Sequence, residues 1–424
     1  MSILRAALAA LVLAWLTFTG AGNSLKLQAD ELPAGHLTGD MDISPFYRWH
    51  EEMPTNAGTV LRSEALPVQK HMPASAQALR ILYSSTDERW NTGQIAVSGT
   101  LFLPSTPAPP RGWPLLSWAH GTLGIADACA PSWTGFKERD AAYINRWLER
   151  GFAVVATDYQ GLGGPGPHPY TFWQAEGASV LDAARAAQAV APELIGKSVI
   201  IAGQSQGGGA ALGAAMLADT YAPELKIKGA IITAPNSTFP DGPVPVPPRY
   251  SNTMFLALAT GGLRQEGPPI EDILSNKGRE LLKVARQGCT PEIGRRAHEL
   301  NVESFRDLLA IPVETLDELR ISTTDMPLAR IPFPLLVATG NADRTITPDR
   351  QHAVAAALCA AGNKVIWRIY DGLGHDGVLH GSLDDAFAFT QSQLHGQSPD
   401  TNCAALSPPG PPGERDPKAP FNDD

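Results

Sequence analysis

A serine hydroxyl attacks a carbonyl at neutral pH only when a general base lies in hydrogen-bond reach and a carboxylate orients that base. Three residues of this chain have the types and the order for that chemistry. Ser205 is the centre of Gly203-Gln204-Ser205-Gln206-Gly207, the G-x-S-x-G pattern of a nucleophile on a sharp strand-to-helix turn. It follows the apolar run Val199-Ile200-Ile201-Ala202 and opens an Ala/Gly-rich stretch from Gly208 to Leu217. Gly203 and Gly207 flank it because a side chain at either position would meet the neighbouring strand or helix. Asp343 follows Leu335-Leu336-Val337-Ala338-Thr339 and the short loop Gly340-Asn341-Ala342. His375 follows Ile369-Tyr370 and the Gly-containing loop Asp371-Gly372-Leu373-Gly374. The chain order Ser, Asp, His is the one used by serine hydrolases that carry their nucleophile on this turn. Two rivals read as helix positions: Asp349 follows Pro348 at a helix start, and His380 falls in the helical turn after His375.

The oxyanion of such a reaction needs two backbone N–H donors. One is expected from Gln206, after the nucleophile. The other is expected from Thr122, in the loop Trp118-Ala119-His120-Gly121-Thr122-Leu123-Gly124. His120 in that loop reads as a brace rather than a base. Asp158-Tyr159-Gln160-Gly161-Leu162-Gly163 ends another strand on the same side and reads mainly as a structural turn.

These residues must be carried by strands with a common carboxyl edge. Eight apolar, β-branched runs predict strands at Ala78–Ser84, Ile95–Leu103, Pro114–Ala119, Ala153–Thr157, Ser198–Gly203, Gly229–Thr233, Leu335–Thr339 and Val365–Tyr370. The first two are close enough for an antiparallel hairpin. From the third onward the strands alternate with helical stretches at Lys137–Arg150, Gly177–Val190, Ser205–Ala218 and Pro348–Ala361. That alternation predicts an α/β fold: a mostly parallel, eight-stranded sheet with helices on both faces and its ligand site at the strand carboxyl ends. The rhythm breaks between the sixth and seventh strands. Asn236–Pro248 is Pro-rich, and Leu281, Val284, Ala285, Leu308, Leu309 and Leu316 recur at helical spacing. An inserted helical cap over 235–330 is therefore expected, dividing the core into 30–234 and 331–406. Its apolar stripes are expected to pack mostly against the sheet. Met254, Phe255, Leu256 and Leu258 read as a buried helix face, with an acyl tunnel as the alternative. The Pro-rich, polar stretch 407–424 predicts a disordered tail.

The chain has 424 residues, 43% hydrophobic and 18% charged, with a net charge of −10. That is an ordinary globular composition, and its acidic balance without a Lys/Arg cluster excludes a nucleic-acid surface. Residues 1–29 read as a secretory signal peptide: Arg5, an apolar stretch from Ala6 to Phe18, then small residues at Thr19–Gly22 or Leu27–Ala29 for cleavage. A secreted or periplasmic protein is expected. Four cysteines in such a chain predict two disulfides. Three pairings are open. Proximity in the chain favours Cys359–Cys403, which leaves Cys129–Cys289. No C-x-x-C and no His cluster has metal-site spacing, and neither a metal nor an organic cofactor is implied.

In combination these stretches resemble the α/β-hydrolase superfamily, and within it the secretory lipase family of the fungal lipase A type and its bacterial relatives. The resemblance is carried by Phe46-Tyr47 with Ala57-Gly58-Thr59-Val60-Leu61-Arg62, Arg80–Thr86, Trp118–Thr122 with Cys129-Ala130-Pro131-Ser132, Asp158–Gly163 with His168-Pro169-Tyr170, and the Ser205, Asp343 and His375 loops. It covers about residues 45–403. Gln206 stands where fungal members tend to have Gly, and Thr122 where they tend to have Asp, so the chain looks closer to the bacterial branch. The resemblance implies a Ser205–His375–Asp343 triad, a lid, and hydrolysis of lipid or other carboxylic esters, and it agrees with the cysteine pairing above. The partner implied is a small-molecule or lipid ester, with transient contact at a lipid interface, and no obligate protein partner. Two other readings use the same scaffold: a serine peptidase or amidase, distinguished by a cap charge that holds a peptide terminus, and a non-catalytic binding protein, which ordinarily lacks part of the triad.

Overall fold

A computed structural model describes residues 39–239, 251–397 and 400–422. The expected signal peptide, the Pro-rich stretch 240–250 and the last two residues lie outside them.

Nine strands form one sheet: β1 (Val60–Ala65), β2 (Ser75–Thr86), β3 (Gln94–Pro104), β4 (Trp113–Ala119), β5 (Ala153–Thr157), β6 (Ile195–Gln204), β7 (Lys226–Thr233), β8 (Leu335–Gly340) and β9 (Val365–Tyr370). Their order is β1-β2-β3-β5-β4-β6-β7-β8-β9. The first three pair antiparallel, β3 meets β5 antiparallel, and the rest of the sheet is parallel. All eight expected strands are present. The ninth, β1, corrects the count. Arg62, Ser63 and Glu64 interrupt any apolar run there, so no strand signal shows in the sequence; β1 is an edge strand whose second half faces water.

The helices are α1 (Pro131–Thr134), α2 (Glu138–Glu149), α3 (Trp173–Val190), α4 (Gln206–Tyr221), α5 (Asn252–Thr260), α6 (Ile270–Ile273), α7 (Asn276–Ala285), α8 (Thr290–Glu299), α9 (Val313–Leu319), α10 (Pro348–Ala360), α11 (Gly377–Gly381) and α12 (Leu383–Leu394). Alternate residues of each parallel strand feed two separate cores, because successive side chains point to opposite faces. Leu115, Val155 and Ile201 pack with α3, α4 and α10. Leu116, Val154, Ile200 and Ala202 pack with α2 and α12 around Tyr143, Trp147 and Phe387. Burial on both sides is why these strands read as continuous apolar runs.

Helices α5–α9 lie between β7 and β8 in the chain. Their apolar stripes differ from expectation. Phe255, Leu256, Leu281, Ile293, Leu308 and Leu316 pack with one another in a third core, joined by Ile125 and Tyr170, rather than against the sheet. Phe255, Leu256 and Leu258 belong to that buried face. Among the described residues no helix is long and apolar enough to cross a membrane.

The tail also departs from expectation. Residues 407–422 lie along the loops that follow β8 and β9 instead of running free. Gly413 N–H donates to Asn341 O at 2.8 Å, and Asp416 N–H to Gly372 O at 2.8 Å. Asn422 is buried, and Phe421 lies 4.5 Å from the His380 ring. Composition pointed to disorder because proline and polar residues supply little core, but here the tail's backbone finds its partners on another segment.

Candidate active site

The parallel order changes direction at β4: the chain goes from β4 to β5 on one side and then to β6 on the other. Such a switch point opens a crevice at the strand carboxyl ends. Ser205 stands there, after β6. Its backbone is in the left-handed region, φ 63° and ψ −120°, a strained conformation for a side-chain-bearing residue that its surroundings must hold. The turn permits no bulk beside it. A Cβ on Gly203 would lie 2.0 Å from Gly207 O, and one on Gly207 would lie 1.9 Å from Ala119 O.

His375, on the loop after β9, places Nε2 2.7 Å from Ser205 Oγ and Nδ1 2.8 Å from Asp343 Oδ2. A carboxylate oxygen accepts, so Nδ1 carries the ring proton and Nε2 is free to accept from the serine hydroxyl. Asp343 is fully buried. Its Oδ1 accepts from the N–H groups of Thr345 and Ile346 at 2.8 and 2.9 Å, and its Oδ2 also accepts from Gln351 Nε2 at 2.8 Å. The two loops are tied to each other, Ala342 N–H donating to Leu373 O at 2.9 Å. Three residues from three strand ends therefore form one hydrogen-bonded line. The rivals stand apart from it: Asp349 is in the first turn of α10, and His380 Nε2 meets Arg139 O at 2.9 Å.

Gln206 is the first residue of α4, so its N–H has no acceptor within the helix. Thr122, after β4, is tied through Oγ1 to the Tyr170 hydroxyl at 2.5 Å. His120 is a brace: Nδ1 donates to Gly121 O at 2.7 Å, and burial lowers its pKa below the ordinary histidine value, which favours the neutral ring. Asp158 is buried and structural, accepting from Ser98 Oγ at 2.6 Å and Ser132 N at 2.9 Å.

Several side chains around this line have contacts that the sequence does not reveal. Gln204 Nε2 donates to His375 O at 2.9 Å. Gln206 Nε2 donates to Glu176 Oε1 at 2.7 Å and to His168 Nε2 at 2.9 Å. Burial pushes Glu176 up to about 8 and His168 down to about 3, so each favours its neutral form near pH 7. Asn422 accepts from Gly374 N–H at 2.6 Å, next to His375. The signal for Glu176 was a carboxyl in an otherwise Ala-rich helix, with no opposite charge three or four residues away.

The cysteines pair Cys129–Cys289 and Cys359–Cys403, with Cα–Cα distances of 5.6 and 5.5 Å. The first joins the Thr122 loop region to the start of α8, beside Thr290 N–H donating to Leu123 O at 2.7 Å. Among the described residues no three His, Cys, Asp or Glu side chains are grouped to hold a metal ion.

A mostly parallel sheet with a serine elbow after β6 and a helical insertion before β8 is the architecture of an α/β hydrolase. The sequence matches the secretory lipase family model over residues 130–375, more than half of the chain, and the chain belongs to that family. It is a carboxylic ester hydrolase. Among solved structures, the closed state of Candida antarctica lipase A superposes with a TM-score of 0.63 at 22% identity, over 86% of this chain and 89% of that one. The rice cell wall degrading esterase LipA from Xanthomonas oryzae gives 0.59 at 16% identity, over 81% of this chain and all of that one (100%). At these identities the likeness is one of fold. No curated protein matches the sequence.

Proposed function

We propose that the chain is an exported hydrolase of lipid-type carboxylic esters that works through an acyl-enzyme on Ser205. The observation that carries this reading is the line from Ser205 Oγ through His375 to Asp343, at 2.7 and 2.8 Å. Ser205 Oγ attacks the ester carbonyl carbon while His375 Nε2 takes its proton. Asp343 holds the imidazole in the tautomer that can do so and stabilises the imidazolium. The N–H groups of Thr122 and Gln206 receive the oxyanion. Collapse breaks the carbonyl–alkoxy bond, and the alcohol leaves with the proton from His375. Water then gives a proton to His375 and attacks the acyl carbon. The carboxylic acid departs and Ser205 recovers its proton.

Helices α5–α9 form the lid in this reading. Their core is separate from the two sheet cores, and they are tied to the rim by the Cys129–Cys289 bridge and by Thr171 Oγ1, 2.5 Å from Thr323 Oγ1. Export, with 1–29 as the leader, is supported by two disulfides, which persist in oxidising compartments. Lipid esters are supported by family membership and by the lipase among the structural neighbours.

Rates on p-nitrophenyl esters from acetate to palmitate, beside aminoacyl amides, test the reading. Ester turnover that rises towards longer chains supports it. Amide turnover above ester turnover would replace it with a peptidase.

A further inference from the structure

Glu176 is fully buried in the first turn of α3, and ester hydrolysis as described above does not use it. A carboxyl there carries a desolvation cost that alanine, common along this helix, would not. What it does is visible in its partners. The single oxygen Oε1 accepts from Gln206 Nε2 at 2.7 Å and from Thr171 N–H at 2.7 Å. Thr171 sits at φ 61°, a left-handed conformation that something must hold for a β-branched residue. The residue before it, Tyr170, directs its hydroxyl to Thr122 Oγ1 at 2.5 Å.

One carboxyl oxygen is thus joined on one side to Gln206 and on the other, through 170–171, to Thr122. These are the two residues whose backbone N–H groups receive the oxyanion in the function proposed above, and the inference rests on that reading. His168 completes the frame: Nδ1 donates to Gln160 O at 2.8 Å, which leaves Nε2 to accept the second hydrogen of the Gln206 amide.

We propose that Glu176 is a positioning residue for ester hydrolysis: its Oε1, accepting from Gln206 and Thr171 together, sets the spacing of the two oxyanion donors across the site. The role requires an acceptor oxygen at that place, not a charge. Glutamine keeps the oxygen; methionine fills a similar volume without it and leaves two buried N–H groups unpaired.

The test compares Glu176→Gln and Glu176→Met with the parent and with Ser205→Ala. It reads kcat and KM on p-nitrophenyl butyrate, and the Ki of a trifluoromethyl ketone, whose adduct with Ser205 carries the oxyanion. A donor displaced by a fraction of an ångström predicts that Glu176→Met lowers kcat by ~10–100-fold with KM changed by less than ~3-fold. The ketone Ki rises by the same factor as kcat falls, and Glu176→Gln stays within ~3-fold of the parent throughout. Gln206→Leu cuts the same link from its other end and serves if Glu176→Met does not fold; it shows the same matched change in kcat and Ki. Unchanged kcat and Ki in the variant that folds would overturn the proposal, as would an equal loss in Glu176→Gln. Full activity in Ser205→Ala would instead overturn the reading on which it rests.

Discussion

Gln204 Nε2 donates to the main-chain carbonyl of His375 at 2.9 Å. The residue before Ser205 therefore holds the loop that carries His375, and Ser205 and His375 are fixed to each other twice: once by their own hydrogen bond and once by the neighbouring side chain. Gln204 lies at the end of β6 and is almost fully buried, so its amide has little freedom to move. Replacing it by alanine frees the His375 carbonyl without changing Ser205. Gln204→Ala is expected to lower kcat by roughly ten-fold with little change in KM, since small misplacements of a base are costly. Steady-state kinetics on a soluble ester checks this.

Asp343 takes four N–H donors on its two oxygens, and only one of them is from His375. Asn in its place keeps the shape, but its amide nitrogen can face Nδ1 and favour the other imidazole tautomer. Asp343→Asn is expected to lower kcat by ~10⁴-fold while the melting temperature changes by only a few degrees. Kinetics and thermal unfolding of the same preparation separate the two effects.

Much of this site was legible in the sequence because each residue of the Ser–His–Asp line lies at, or a short loop beyond, the end of an apolar strand. Ser205 was marked by glycines that close approach requires, and Asp343 and His375 by short loops at the ends of β8 and β9. The supporting residues had no such mark. Gln204 and Gln206 occupy the free positions of the pattern, where any residue is allowed. Glu176 and His168 matter only through side chains brought together from separate segments. The β1 edge strand was too polar to show as an apolar run. For the tail, composition reports how much core a segment can make and not whether another segment offers it hydrogen-bond partners.

That tail gives a prediction. Asn422 accepts from Gly374 N–H at 2.6 Å and donates to Gly372 O at 2.9 Å and Asp416 O at 2.6 Å, bracketing the approach to His375. Truncation after Leu406 removes all three bonds. It is expected to lower kcat by about ten-fold and to destabilise the fold by ~1–3 kcal/mol, the cost of leaving buried loop groups unpaired. Kinetics and denaturant unfolding of the truncated protein test both parts.

Glu176 gives a pH dependence of stability. Burial raises its pKa from an ordinary 4.5 to about 8, so the fold prefers its protonated form. The stability from that proton is fully present below pH about 4.5 and is lost as pH rises through about 8. Glutamine has no such proton. His168, 3.8 Å away, is held neutral with a pKa near 3, and Tyr159 and Tyr170 are both shifted upward by burial, so none of these neighbours titrates in the window. Asp127, also raised to about 8, is common to both proteins and cancels. The melting temperature of Glu176→Gln relative to the parent is expected to become more favourable between pH 5 and pH 8.5, by several degrees. Thermal scans across that range check it, and a constant difference would contradict it.

The bridge Cys129–Cys289 joins residues 160 apart and fastens α8 near the Thr122 loop. Cys289→Ser is expected to cost ~2–4 kcal/mol of stability through the freer unfolded chain. Activity is expected to fall more steeply with temperature than in the parent, because the loop loses its tie to the insertion. Activity–temperature profiles of the two proteins report both.

The central claim is that Ser205 Oγ is the atom that attacks the ester carbonyl. The most direct measurement is the rate of p-nitrophenyl butyrate hydrolysis by folded Ser205→Ala against the parent. The account predicts a loss of at least ~10⁴-fold in kcat. Hydrolysis at the parental rate would contradict it.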